Sequence, residues 1–161
     1  MTPRNKKWPA NNLGELITFL DRFYPDGIPL CGVADRLNTT EQAVSNMFRR
    51  DDMKLSKAEE IASAYGYTLR LFFKERTYID GYVPRKPRWE YPDAGNLAGL
   101  VKYIQDSEYS IAFVAEKSRM SPLSIRKAFL RGDMMISRII GIVDNLGIFV
   151  SWQFEKNHNN D

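Results

Sequence analysis

The chain carries a second copy of its own pattern, displaced by 81 residues. Val33 and Ala34 match Val114 and Ala115 at that shift. Phe48, Arg50, Asp52, Met53 and Ser56 match Phe129, Arg131, Asp133, Met134 and Ser137. Ile61, Gly66 and Phe73 match Ile142, Gly147 and Phe154. The alignment runs without a gap from 28–75 onto 109–156, and substituted pairs such as Val44 with Ile125 and Leu69 with Val150 stay apolar. Upstream the shift becomes 84, pairing Asn12, Leu13 and Leu16 with Asn96, Leu97 and Leu100. Two copies at so long a period indicate a duplicated domain and not a solenoid, which stacks more and shorter repeats. Any fold assigned to one copy must therefore suit the other.

The boundary falls in VPRKPRWEYP, where Pro84, Pro87 and Pro92 bias their predecessors toward extended conformations. The expected organisation is a first domain over 1–83, a Pro-rich basic linker over 84–95 and a second domain over 96–157. Leu13, Leu16, Ile17, Leu20 and Phe23 recur at helical spacing, as do Leu97, Leu100, Val101 and Ile104. Short helices follow at Leu30–Leu37 and Glu41–Arg50, with counterparts at Ile111–Ser118 and Pro122–Arg131. Thr40 and Ser121 stand where helix N-caps belong, and Pro122 sits at a first helical position. A fourth helix is expected from Ser56, where SKAE reads as a capping box, to Gly66. Its counterpart starts at Ser137.

After each of those glycines the period drops from helical to alternating. Tyr67, Leu69, Leu71 and Phe73 form one row, and Ile148, Val150, Trp152 and Phe154 form the other. Both segments read as strands, over 67–74 and 148–155. A lone strand leaves backbone groups unpaired. Three pairings would satisfy these two: with each other, with a second chain in a homodimer, or with 77–83 through an Asp80-Gly81 turn. The expected fold class is mainly α, with two tandem units of about four helices, each followed by a short strand.

Composition removes several function classes. A single cysteine, Cys31, excludes an intrachain disulfide and a cysteine-based zinc cluster. A single histidine, His158, leaves little room for histidine catalysis or metal binding. There is no phosphate-binding glycine motif, and the acids are scattered over helical faces as ordinary solvated residues, so no enzyme, metal or cofactor is expected. No membrane span and no secretory signal are read, which points to the cytoplasm. Cys31 is expected to pack on the apolar side of its helix.

Charge is unevenly placed within a net +3. Arg4, Lys6 and Lys7 make the first ten residues basic, and Arg85, Lys86 and Arg88 do the same for the linker. Each cluster stands just before a tryptophan, Trp8 or Trp89, read as an anchor for a basic arm. Such arms suit the negative potential of a narrow DNA minor groove.

Two short helices across a tight turn, flanked by outer helices, form a helix-turn-helix arrangement. The stretch IPLCGVADRLNTTEQAVSNMFRRDDMKLSKAEEIASAYGYTL resembles the repressor-like helix-turn-helix domain, the XRE type of phage lambda repressor and Cro. The resemblance rests on Val33-Ala34, the turn Asn38-Thr39-Thr40 and Ala43-Val44-Ser45. YSIAFVAEKSRMSPLSIRKAFLRGDMMISRIIGIVDNLGIFV is similar through the internal repeat. The resemblance implies a bacterial or phage repressor-like transcription regulator that binds double-stranded DNA. It maps base-facing positions onto Glu41, Gln42, Ser45 and Asn46. Beside it, Thr40 at the cap suits a phosphate, and Arg49 and Arg50 suit the backbone charge.

The second copy offers Ser121, Leu123, Ser124, Arg126, Lys127 and Arg131 at the matching places. Leucine and proline read bases poorly, whereas 117–131 holds five basic residues and no acid. That copy reads as a phosphate binder, or alternatively as a protein-contact copy through Leu123. Both copies depart from the family at the start of the second helix, where Leu30 and Ile111 replace a polar residue. Phe48 and Phe129 replace its usual glutamate and are expected in the core. The competing reading of the whole chain is a protein-interaction adaptor or antitoxin on the same fold.

Overall fold

The structure is a computed structural model that describes residues 8, 10–75, 96–106 and 109–157. Within them four helices and a strand occur twice, in the order α1 (Gly14–Asp21), α2 (Leu30–Leu37), α3 (Glu41–Arg50), α4 (Leu55–Ala64), β1 (Tyr67–Glu75), then α5 (Asn96–Asp106), α6 (Ile111–Ser118), α7 (Pro122–Arg131), α8 (Ile136–Asn145) and β2 (Ile148–Lys156). The fold is thus mainly α with two short strands, and the repeat in the sequence is a repeat of elements. The segments 77–83 and 84–95, with the expected hairpin and linker, lie outside the described residues.

The turn between the short helices has the same hydrogen bonding in both copies. α2 ends at Asn38 with φ 56°, and α6 ends at Arg119 with φ 57°. The Thr39 N–H donates to the Ala34 carbonyl at 3.0 Å, and the Met120 N–H donates to that of Ala115 at 3.0 Å. Asn38 and Arg119 donate to Asp35 and Glu116, each at 3.3 Å. These are the paired bonds that close a helix through a left-handed residue. Asparagine adopts that conformation readily; arginine does so at a cost of about 1–2 kcal/mol.

β1 and β2 are neighbours in a two-stranded antiparallel sheet, the first of the three pairings considered above. Contacts divide the chain into two compact units, each assembled from separated segments. The first unit comprises Met1–Leu69, Met135–Ser137 and Phe154–Asp161, and the second Arg70–Met134 and Arg138–Gln153, in both cases as far as these are described.

In the first unit α2 packs on α3 and α4. Its core is Leu13, Leu16, Phe19, Leu20, Val33, Val44, Phe48, Leu55, Ile61 and Leu69, all nearly inaccessible. Phe19 is the hub, stacked on Phe154 at 4.1 Å and 11° and edge-on to Tyr67 at 5.2 Å. Each such pair adds about 0.5–1.5 kcal/mol beyond area burial. Tyr24 and Tyr65 share a hydroxyl hydrogen bond at 3.0 Å. The Arg36 guanidinium lies 4.4 Å from the Tyr65 ring centre and donates to the Ala64 carbonyl at 3.0 Å.

In the second unit α6 packs on α7, and α5 also meets α7. Leu71, Phe73, Leu97, Leu100, Val114, Ile125, Ile142 and Ile148 fill the interior. Asn96, at the start of α5, accepts the Leu71 N–H at 2.9 Å and so ties β1 to that helix. Asn145 donates to the Lys117 carbonyl at 2.9 Å. Lys117 and Asn145 are the counterparts of Arg36 and Ala64, so the same joint is clasped from the opposite end.

Three expectations are corrected. α4 begins at Leu55, with Lys54 as its N-cap and no side-chain cap, so Ser56 is an internal residue and not a capping-box N-cap. α8 likewise begins at Ile136 and not at Ser137. The Ser137 N–H and hydroxyl both donate to the Asp52 carboxylate, at 2.9 and 2.6 Å. A cap supplied from another element leaves no need for a local one. Cys31 is exposed, because Val33, Ala34 and Leu37 form the buried stripe of α2 and Cys31 stands off it.

Candidate nucleic-acid interface

α3 starts as its sequence requires. The Thr40 backbone is extended, with φ −93° and ψ 153°, and its hydroxyl accepts the Ala43 N–H at 3.1 Å. Val44, Met47 and Phe48 are buried and fix the helix's rotation. Glu41, Gln42, Arg49 and Arg50 are then exposed, with Ser45 and Asn46 half-exposed between them. The expected readers therefore share one outward face.

On that face they are linked to one another. Gln42 Nε2 donates to Asn46 Oδ1 at 2.9 Å. Arg49 donates to the same oxygen at 3.0 Å and to Ser45 Oγ at 3.2 Å. Neighbours three and four residues apart can bond in this way. Asn46 Oδ1 is a shared acceptor, so Gln42 Oε1 as an acceptor and Asn46 Nδ2 as a donor take no part in this linkage. Glu41 lies in the first turn, where its charge suits the helix dipole but repels a phosphate.

Behind α3 lies the first tryptophan. The half-buried Trp8 ring meets Phe48 edge-on at 5.4 Å, so the chain is anchored at residue 8 on the buried side of the helix. Arg4, Lys6, Lys7, Arg85, Lys86, Arg88 and Trp89 lie outside the described residues. Phe48 is in the core as expected, and Phe129 is half-buried.

α7 is built alike and presents different chemistry. Ser121 caps it by accepting the Ser124 N–H at 3.0 Å, and its hydroxyl donates to Ser124 Oγ at 2.9 Å. Ile125 and Ala128 are buried. Leu123, Arg126, Lys127, Leu130 and Arg131 face outward. Leu123 is 60% exposed and Leu130 is 89% exposed. Leu130 was not among the expected site residues, although the 81-residue shift sets it opposite Arg49 and so makes it visible in the sequence.

Asp51 is the other residue that pattern reading passes over. It closes α3 with φ 58°, and its carboxylate is buried. The N–H groups of Asn11, Asn12 and Leu13 donate to it at 3.0, 2.8 and 3.0 Å. The acid thereby caps the start of α1 and sets α1 against α3. Gly132 occupies the matching place in the second copy.

Among the described residues no group of three or more histidines, cysteines or acids could hold a metal, and no helix is long and apolar enough to cross a membrane. No protein-family profile matches the chain, and the searches of curated proteins and of solved structures found no match to it.

Proposed function

We propose that the protein is a sequence-specific binder of double-stranded DNA, acting as a repressor-like regulator without enzymatic activity and reading bases through α3. The observation that supports this most directly is the row Gln42–Asn46–Arg49. It stands on one exposed helix face, capped by Thr40 and ended by two arginines. A major-groove adenine presents one acceptor and one donor. The acceptor of Gln42 and the donor of Asn46 that this linkage does not use are complementary to that pair. Arg49 and Arg50 supply charge for phosphates, each steepening the salt dependence by about one unit. α7 lacks amide side chains on its outward face, so base reading is assigned to α3 alone.

Selection of bound duplexes from a random pool tests the reading. A dominant short site, bound with a steep salt dependence, is the expected result. A perfect palindrome would indicate a homodimer, for which the outer edges of strands 67–74 and 148–155 are the surfaces to examine. Equal recovery of all sequences, or a flat salt dependence, would favour the adaptor or antitoxin reading.

A further inference from the structure

We propose that the outward face of α7 docks an acidic amphipathic helix of a partner protein. The 81-residue shift sets Leu123, Lys127 and Leu130 on Gln42, Asn46 and Arg49. The polar row of α3 is therefore an apolar stripe with a basic side chain on α7. Leu123 and Leu130 are seven residues apart, within about 20° of the same side of the helix. They are separated along its axis by about 10 Å. Arg126 falls to one side of that stripe, and Lys127 and Arg131 fall to the other.

Isolated surface leucines are ordinary. Here two of them share a stripe between flanking cations, on a helix fixed from behind by Ile125 and Ala128. Five basic residues and no acid occur over 117–131. Duplex DNA would use the cations and gain little from Leu130, which stands where Arg49 would meet a phosphate. A helix with leucines at i, i+4 and i+7 and glutamates beside them uses both features. Its apolar face covers the stripe and its acids meet the flanking charges.

The probe is a synthetic helical peptide of about 18 residues, with that leucine stripe flanked by glutamates. Two control peptides replace the glutamates by lysine or the leucines by glutamine. Fluorescence anisotropy with the full chain should show binding of the acidic leucine peptide, and both controls should bind at least about tenfold more weakly. The double variant Leu123→Gln, Leu130→Gln should lose about tenfold in peptide affinity. It should keep its affinity for duplex selected through α3 within about twofold, since Gln42 and Asn46 are untouched. Lys127→Glu keeps the leucines and should shift preference toward the lysine peptide. Equal binding of all three peptides would overturn the proposal. So would loss of duplex affinity in the double variant with peptide binding unchanged, which would make α7 a DNA contact.

Discussion

The Asp51 carboxylate accepts the Leu13 backbone N–H at 3.0 Å, joining the end of α3 to the beginning of α1 across 38 residues of chain. With the Asn11 and Asn12 donors, the three backbone amides that lead into α1 converge on one buried acid. Asp51→Ala leaves them unpaired. The expected cost is about 2–3 kcal/mol, the scale of a hydrogen-bonded charge removed from a buried site. Asp51→Asn keeps an acceptor and tolerates the left-handed backbone, so its loss should be smaller. Urea denaturation of the three proteins measures this; equal stability would mean that α1 is held by apolar packing alone.

Gln42→Ala and Asn46→Ala should each weaken binding to the selected duplex by about 1–3 kcal/mol and blur preference at particular base pairs. Arg50→Ala should weaken binding to every sequence and lower the salt slope by about one unit. Because Asn46 Oδ1 also receives Arg49, Asn46→Ala should reduce affinity for random duplex as well, while Gln42→Ala should not. Titrations on selected and random DNA at several salt concentrations separate the two behaviours. Uniform losses for Gln42→Ala would place that residue outside the base contacts.

Removing residues 1–7 should leave the melting temperature nearly unchanged and reduce DNA affinity, more at low salt than at high salt. Removing 1–8 takes Trp8 off Phe48 and should lower stability by about 1–2 kcal/mol in addition. Thermal melts and salt-dependent titrations of the two truncations check this. If both melt alike, the tryptophan is no anchor.

Burial, and then the hydrogen bond with Tyr24, push the Tyr65 hydroxyl above its ordinary value, against the opposing pull of Arg36. A tyrosine whose folded value exceeds its unfolded one contributes stability that is complete below about pH 10 and is lost as the pH climbs toward the folded value. Stability should therefore fall on the alkaline side. Tyr65→Phe should cost about 1 kcal/mol near neutrality and flatten that fall. Melting between pH 8 and about 11 reads it; an unchanged slope in the phenylalanine variant would assign the loss to other groups.

Helix bounds were legible wherever apolar spacing and local caps agreed. Thr40 and Ser121 each placed a helix start to the residue, because the cap hydroxyl and the amide it accepts are three residues apart in the chain. Strand pairing was narrowed to three partners by the alternating rows, and the described residues show the pairing of β1 with β2. Ser56 misled for a physical reason: a cap is a matter of what reaches the amide, and for Ser137 that group is Asp52, 85 residues away in sequence. Asp51 escaped for the same reason, since its partners precede it by 38 to 40 residues. In the candidate site, the outward positions of α3 followed from its period. Their linkage through Asn46 Oδ1 depended on rotamers that spacing does not determine.

The matched turns at Asn38 and Arg119 make α3 and α7 exchangeable parts. Each follows a left-handed residue and a hydroxyl-bearing cap at matching positions, and each runs for ten residues. Inward positions are apolar in both, while the outward ones differ: Gln42, Ser45, Asn46 and Arg49 in α3 against Leu123, Arg126, Lys127 and Leu130 in α7. Duplication thus leaves two cassettes with matched interiors whose exteriors are free to differ. Moving the four outward side chains of α3 onto α7 would give a single polypeptide two chemically equivalent helix faces.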